Sequence, residues 1–206
     1  MKYKLKECRV CQKEFKPFKS TEQVCSYKCA IIHGKKKVAR KQKIEWKKDN
    51  DLQENKAKLQ RSVNELARVI DYGLPCLARG YHPNQMHGGH IFSRGAYSNM
   101  RYNLHNIHRQ SAQSNHHQNE DGLLRDKLKE EYGTNYYQSL ESLQNIPVLK
   151  YTASEYYGFY LKCNKLVREY RSTIKKTLPV SERIRLRNEA NLRLGIYPLD
   201  YCTLQP

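Results

Sequence analysis

Lysine is missing from residues 61–125, carboxylates are scarce, and no long apolar run occurs in the 206-residue chain. Each absence excludes something. No stretch approaches the ~18 apolar residues of a membrane span, so no membrane partner is expected. The opening residues Met1–Lys6 have no apolar core, so no secretory leader is expected either. Three of the seven cysteines (Cys76, Cys163, Cys202) are scattered, which argues against a disulfide framework and for a reducing, cytoplasmic compartment. Internal repeats are absent, and nothing beyond a lysine-rich linker is of low complexity.

With 20 Asp+Glu against 38 Lys+Arg, the net charge is +18. Such an excess points to a polyanionic partner. Residues 1–60 carry 18 Lys+Arg against 7 Asp+Glu, mostly lysine. In residues 61–125 every basic residue is an arginine: Arg61, Arg68, Arg79, Arg94, Arg101, Arg109 and Arg125. Arginine's rigid fork suits defined phosphate contacts, whereas lysine suits diffuse attraction. A shaped nucleic-acid site beside a non-specific basic arm fits this split.

Four parts follow along the chain. Residues 1–33 hold Cys8-x-x-Cys11 and Cys25-x-x-x-Cys29, two close pairs with the spacing of a tetrahedral four-cysteine structural zinc site. The first pair reads as a tight knuckle and the second as the start of a short helix, with Phe15 and Phe18 as a small core. So short a module buries too little to fold alone, and zinc would supply the missing free energy. Residues 34–72 read as a basic helical linker, one long helix or two in line. Its second half carries an apolar stripe of Leu59, Val63, Leu66 and Ile70, for the chain's own core or a second copy. Gly73 and Pro75 end it. Residues 73–120 are the candidate core, with a strand near 86–92, a second near 100–104 and a helix over about 109–119. Residues 121–206 are helical: one helix ends near Gly133, a capping box at Thr152–Glu155 opens a long one, and the last covers about 181–194 before Gly195. The fold class is α+β, mostly helical.

Six of the eight histidines fall between His87 and His117. The stretch reads His87-Gly-Gly-His90, then Asn103-Leu-His-Asn106-Ile-His108, then Asn115-His-His117. That order and spacing suit a ββα-metal (HNH-like) nuclease core. Phosphodiester hydrolysis needs an activated water and a cation on the leaving oxygen. His90 would be the general base, closing the first strand, and could also touch the metal. His87 would help hold that metal. Asn106, with Asn103 as the fallback, would fix the hairpin and orient the base. Asn115 or His117 would return a ligand from the helix, with His116 and Asn119 nearby. Arg94 and Arg101 would clamp the scissile phosphate. One divalent ion is expected, Mg2+ or another that His/Asn ligands accept.

These residues resemble the NinG (Rap) family of phage-type recombination proteins. The cues are the N-terminal Cys-x-x-Cys, the basic linker, Gly73-Leu-Pro-Cys76, Gly89-His90, Arg101-Tyr-Asn103 leading to Asn106-Ile-His108-Arg-Gln110, and Asn115-x-His117. The resemblance implies an endonuclease acting on branched DNA, such as Holliday junctions or D-loops, in homologous recombination, and a phage-encoded protein in a bacterial host. Some members carry a second zinc site in the core. Here its positions read Cys76, Arg79, Ser111 and Ser114, so no core zinc is expected. Resolving junctions would favour a homodimer. The alternatives are a non-catalytic zinc-finger DNA-binding accessory protein and a binder of structured RNA.

Overall fold

The computed structural model describes residues 4–49, 51–116 and 121–205, and only the backbone of residues 45–49, 116 and 121. It divides into two units, Met1–Asp51 and Leu52–Pro206. The basic stretch expected as one linker is therefore shared between them.

In the first unit, strands β1 (Lys6–Glu7) and β2 (Glu14–Phe15) pair antiparallel, Lys6 opposite Phe15. The knuckle between them is tight: the Gln12 N–H donates to the Cys8 carbonyl (2.9 Å), and Gln12 adopts φ 59°. Helix α1 runs from Tyr27 to Asp49. Ser26 Oγ accepts the Cys29 N–H at 3.3 Å, as an N-cap does. The expected short helix is thus a long one, because nothing in the lysine-rich stretch stops it. Phe18 is 84% exposed and Phe15 half-buried. The expected aromatic core is absent, and Cys8, Pro17 and Cys29 are buried instead.

In the second unit, helix α2 (Leu52–Ile70) buries Leu59, Val63, Leu66 and Ile70 completely. They pack with helix α6 (Ala153–Thr173), helix α7 (Val180–Leu194), Tyr102, Leu104 and Ile107. Each such side chain contributes about 1.5–3 kcal/mol of burial. The stripe is core, and so is withdrawn as a face for a second copy. A second apolar cluster joins Ile91, Phe92 and Met100 to helices α4 (Asp121–Tyr132) and α5 (Thr134–Ser142).

Between the clusters lies an antiparallel hairpin of β3 (Met86–His90) and β4 (Ile107–Ser111), His90 opposite Ile107, followed by the short helix α3 (Ala112–His116). The second strand falls at 107–111 rather than near 100–104. Residues 98–106 instead form two 3-10 turns, Ser98–Met100 and Leu104–Asn106, the latter capped by Asn103 accepting the His105 N–H (3.0 Å). Strand β4 is buried at every position, so it has no alternating pattern to betray it. Gly88 lets β3 approach α2: a Cβ there would lie 2.7 Å from the Asn64 carbonyl oxygen.

A buried ion cluster anchors β4 from behind. Asp71 accepts two 2.9 Å bonds from Arg187 and the Arg109 N–H at 3.2 Å. Arg183 and Arg109 share Glu131 at 2.7 and 2.6 Å. Burial opposes the Asp71 charge, yet Arg187, with Arg109 and Arg183, holds its pKa down to about 2. The sequence-read helix ends hold. Thr152 and Glu155 form the capping box of α6, and Gly195 closes α7 at φ 66°.

Candidate functional site

The four thiols of Cys8, Cys11, Cys25 and Cys29 lie within 4.8 Å of one another. Cys11 and Cys25 are 3.4 Å apart and Cys25 and Cys29 3.8 Å. Tetrahedral Zn–S bonds of about 2.3 Å place sulfurs about 3.8 Å apart, so the group could hold a metal ion such as zinc. Burial resists ionisation of Cys8, but the N–H groups of Cys11, Val10 and Cys25 outweigh it and bring the thiol down to about 6. Cys25 is pushed up to about 12, chiefly by its contact with Cys11. A bound cation would reverse that for Cys25. Beside this cluster, within the same unit, a cleft of about 400 Å3 is lined by Arg9, His33, Lys36, Lys37 and Arg40 with Gln23. Among the described residues no carboxylate lines it, so phosphate oxygens would complement it.

In the hairpin, His90 is half-buried and its Nε2 lies 2.9 Å from the Arg101 carbonyl. A carbonyl only accepts, so Nε2 carries the proton and the lone pair sits on Nδ1. Burial, aided by the charges of Arg94 and Arg101, pushes the imidazole down to about 4 against the pull of that carbonyl. Asn106 is fully buried. Its Oδ1 accepts the Phe92 N–H (2.8 Å), and its Nδ2 donates to the Phe92 carbonyl (3.0 Å) and the Met100 carbonyl (3.4 Å). The amide thus clamps the chain leaving β3 immediately after His90. Asn103, the fallback, caps a turn and donates to the Tyr201 carbonyl at 3.0 Å, on other business.

Arg101 donates from Nε to Gln60 Oε1 (2.8 Å) and lies over the Tyr102 ring. Its terminal nitrogens have no partner among the described residues. Arg94 is exposed in the loop after β3. Gln60 was not legible as part of the site. Its only signal is a glutamine next to Leu59 on the buried side of α2.

Strand alternation separates the two expected strand ligands. His90 shares a face with Gly88, toward α2, whereas His87 shares the opposite face with Gly89. That opposite face meets α3. A Cβ on Gly89 would lie 1.5 Å from Gln110 Oε1 and 2.7 Å from Asn115 Oδ1. Two amide oxygens therefore converge over Gly89, and only glycine leaves them room. His90 and this pair lie on opposite faces of β3. Gln110 was missed by the sequence, since a lone glutamine carries no signal. His117 and Asn119 lie outside the described residues, and of His116 only the backbone is described.

His105 and His108 are core. His105 contacts the Tyr136 hydroxyl (3.0 Å) and the Cys202 carbonyl (3.3 Å), and His108 the His105 carbonyl (2.9 Å). Burial, with Arg187, brings His105 down to about 3, and His108 moves the same way. At the positions of the second zinc site, Cys76 Sγ accepts the Ser111 N–H at 3.2 Å, and Ser111 Oγ accepts the Ser114 N–H at 3.1 Å. Among the described residues no helix is long and apolar enough to cross a membrane.

A hairpin followed by a helix, with a four-cysteine cluster able to hold a metal ion ahead of it, describes a class of basic proteins rather than one member. The family described as bacteriophage lambda NinG protein matches residues 1–177. The chain belongs to this phage recombination-related family. No curated protein and no solved structure matches.

Proposed function

We propose that this chain is a metal-dependent endonuclease of branched DNA, acting on recombination intermediates in the host cytoplasm. The observation that carries the reading is the His90 ring. Its Nε2 is held on a backbone carbonyl, with the Gln60 amide 3.5 Å away, which leaves the lone pair on Nδ1, and the two arginines beside it have no acidic partner among the described residues. An unprotonated ring nitrogen at this position can take a proton from water, and the negative charge of a bound phosphate would raise the lowered pKa toward the neutral range that suits a general base.

In this reading His90 removes the water proton and Asn106 keeps the strand end in place. Arg101, steadied by Gln60, and Arg94 bind the non-bridging oxygens of the scissile phosphate. Asn115 and Gln110 offer amide oxygens, His87 lies on the same strand face, and His117 is kept from the sequence as a candidate ligand. Such a set suits Mg2+ or Mn2+. The bound ion would neutralise charge on the leaving 3′ oxygen. The thiolate module and the basic face of α1 bind duplex backbone without reading sequence.

The test is a labelled four-way junction incubated with Mg2+ or Mn2+. The parent should cut, and His90→Ala should lose at least about 100-fold in rate with junction affinity retained. Binding by both with cutting by neither, under any divalent metal, would leave an accessory DNA-binding protein. Tighter binding to structured RNA than to the junction would overturn the DNA assignment.

A further inference from the structure

At the end of β3 opposite His90, α2, α6 and the loop before the strand enclose a cleft of about 570 Å3. That lies within the usual range of small-ligand sites, about 300–1,000 Å3. Its lining has three kinds of chemistry. Val69, Met86 and Ile174 supply apolar surface, and Tyr72, 53% exposed, stands beside them. Asn84 and Gln85 bring two exposed amides. Among the described residues, Arg68, Arg171 and Lys175 bring three cations against the one carboxylate of Glu65.

Arg68 and Lys175 are held in place by backbone carbonyls and have no acidic partner among the described residues. Arg68 donates from Nη1 to the Met86 carbonyl (2.9 Å), and its buried Nε has no acceptor among the described residues. Lys175 donates to the Arg171 carbonyl (2.9 Å), and Arg171 pairs with Glu65. An aromatic ring for stacking, amides for a base edge and spare positive charge for phosphate together match one ligand class, a nucleotide.

We propose that this cleft receives an unpaired nucleotide of a DNA strand. The assignment rests on the DNA-directed reading above and sharpens it. Met86 and His90 are four residues apart on one strand, about 13 Å. That spans about four steps of a B-form strand. A base turned out at a branch point would thus lodge within a few nucleotides of the scissile phosphate. The preference for branched substrates would then lie in this cleft rather than in the hydrolytic residues.

The experiment uses the full chain carrying His90→Ala, so that no strand is cut. Two duplexes of equal length are compared, one continuous and one with a single unpaired fluorescent adenine analogue. The protein should prefer the interrupted duplex and alter the emission of the analogue. Tyr72→Ala should reduce that preference roughly tenfold and leave affinity for the continuous duplex unchanged, whereas Tyr72→Phe should keep it. An unchanged preference in Tyr72→Ala, or equal weakening for both duplexes, overturns the proposal. Displacement by free deoxyadenosine monophosphate as effective as by the interrupted duplex would also overturn it, assigning the cleft to a free nucleotide. Cutting does not enter the readout. A tyrosine-dependent preference in a protein that never cuts would defeat the hydrolytic reading alone.

Discussion

Both ends of the Asn106 amide are committed to backbone groups around His90. Replacing it with alanine would leave the buried N–H and carbonyl of Phe92 without partners. Asn106→Ala is expected to cost about 1–3 kcal/mol in urea unfolding. Asn103→Ala, read by junction cutting at equal folded fraction, should affect rate far less, because its bonds lead to the Tyr201 region instead. The sequence separated these asparagines only by their distance from the following strand. It did not separate the histidines. His90, His105 and His108 sit in one short imidazole-rich stretch, yet two of them are neutral core side chains held by a tyrosine, an arginine and backbone carbonyls. Density of a residue type reports opportunity for chemistry, whereas burial decides which residue has it.

Elements were legible where their signals are local. The Thr152–Glu155 box, Gly195 and the four-residue apolar rhythm of α2 each announce themselves in a few neighbouring residues. Strand β4 did not, because a strand enclosed by two apolar clusters needs no alternation, and Arg109 within it is held by Asp71, Pro75 and Glu131, groups 22 to 38 residues away in sequence. The length of α1 was also hidden, since its first turn doubles as half of a thiolate cluster. That sharing has a testable consequence. Cys11→Ser should lower bound zinc from about one ion per chain toward none, measured by atomic emission, whereas Cys76→Ser should leave it unchanged. Equal metal content in both variants would break the link between this cluster and zinc.

At the scale of the molecule, charge governs two behaviours. Attraction to DNA should fall steeply with salt. If about 6–10 phosphates are neutralised, affinity should drop roughly 10³–10⁵-fold between about 50 and 200 mM salt, and a flat response would count against a backbone-tracking surface. Stability should depend on pH in a defined window. His105 has its pKa depressed in the folded state, from 6.5 to about 3, and His108 shifts the same way. Below about pH 6.5 the unfolded chain takes up protons that the folded chain refuses, so stability declines as pH falls toward about 3, each histidine contributing up to about 1.4 kcal/mol per pH unit. The Asp71 contribution is complete above 3.8 and disappears only as pH passes down through about 2. Urea midpoints should therefore fall between about pH 6.5 and about pH 4 before the carboxylate cluster is touched.

The ion cluster behind β4 also imposes a timetable on synthesis. Arg187 lies 116 residues downstream of its partner Asp71. At about 5–20 residues per second, roughly 6–23 s separate the two on a translating ribosome. Through that interval the carboxylate has no Arg183 or Arg187 to meet, and the underside of the hairpin stays wet. A nascent chain can shape its thiolate knuckle early, but the strands that carry His90 and Gln110 become sealed only when the final helix emerges.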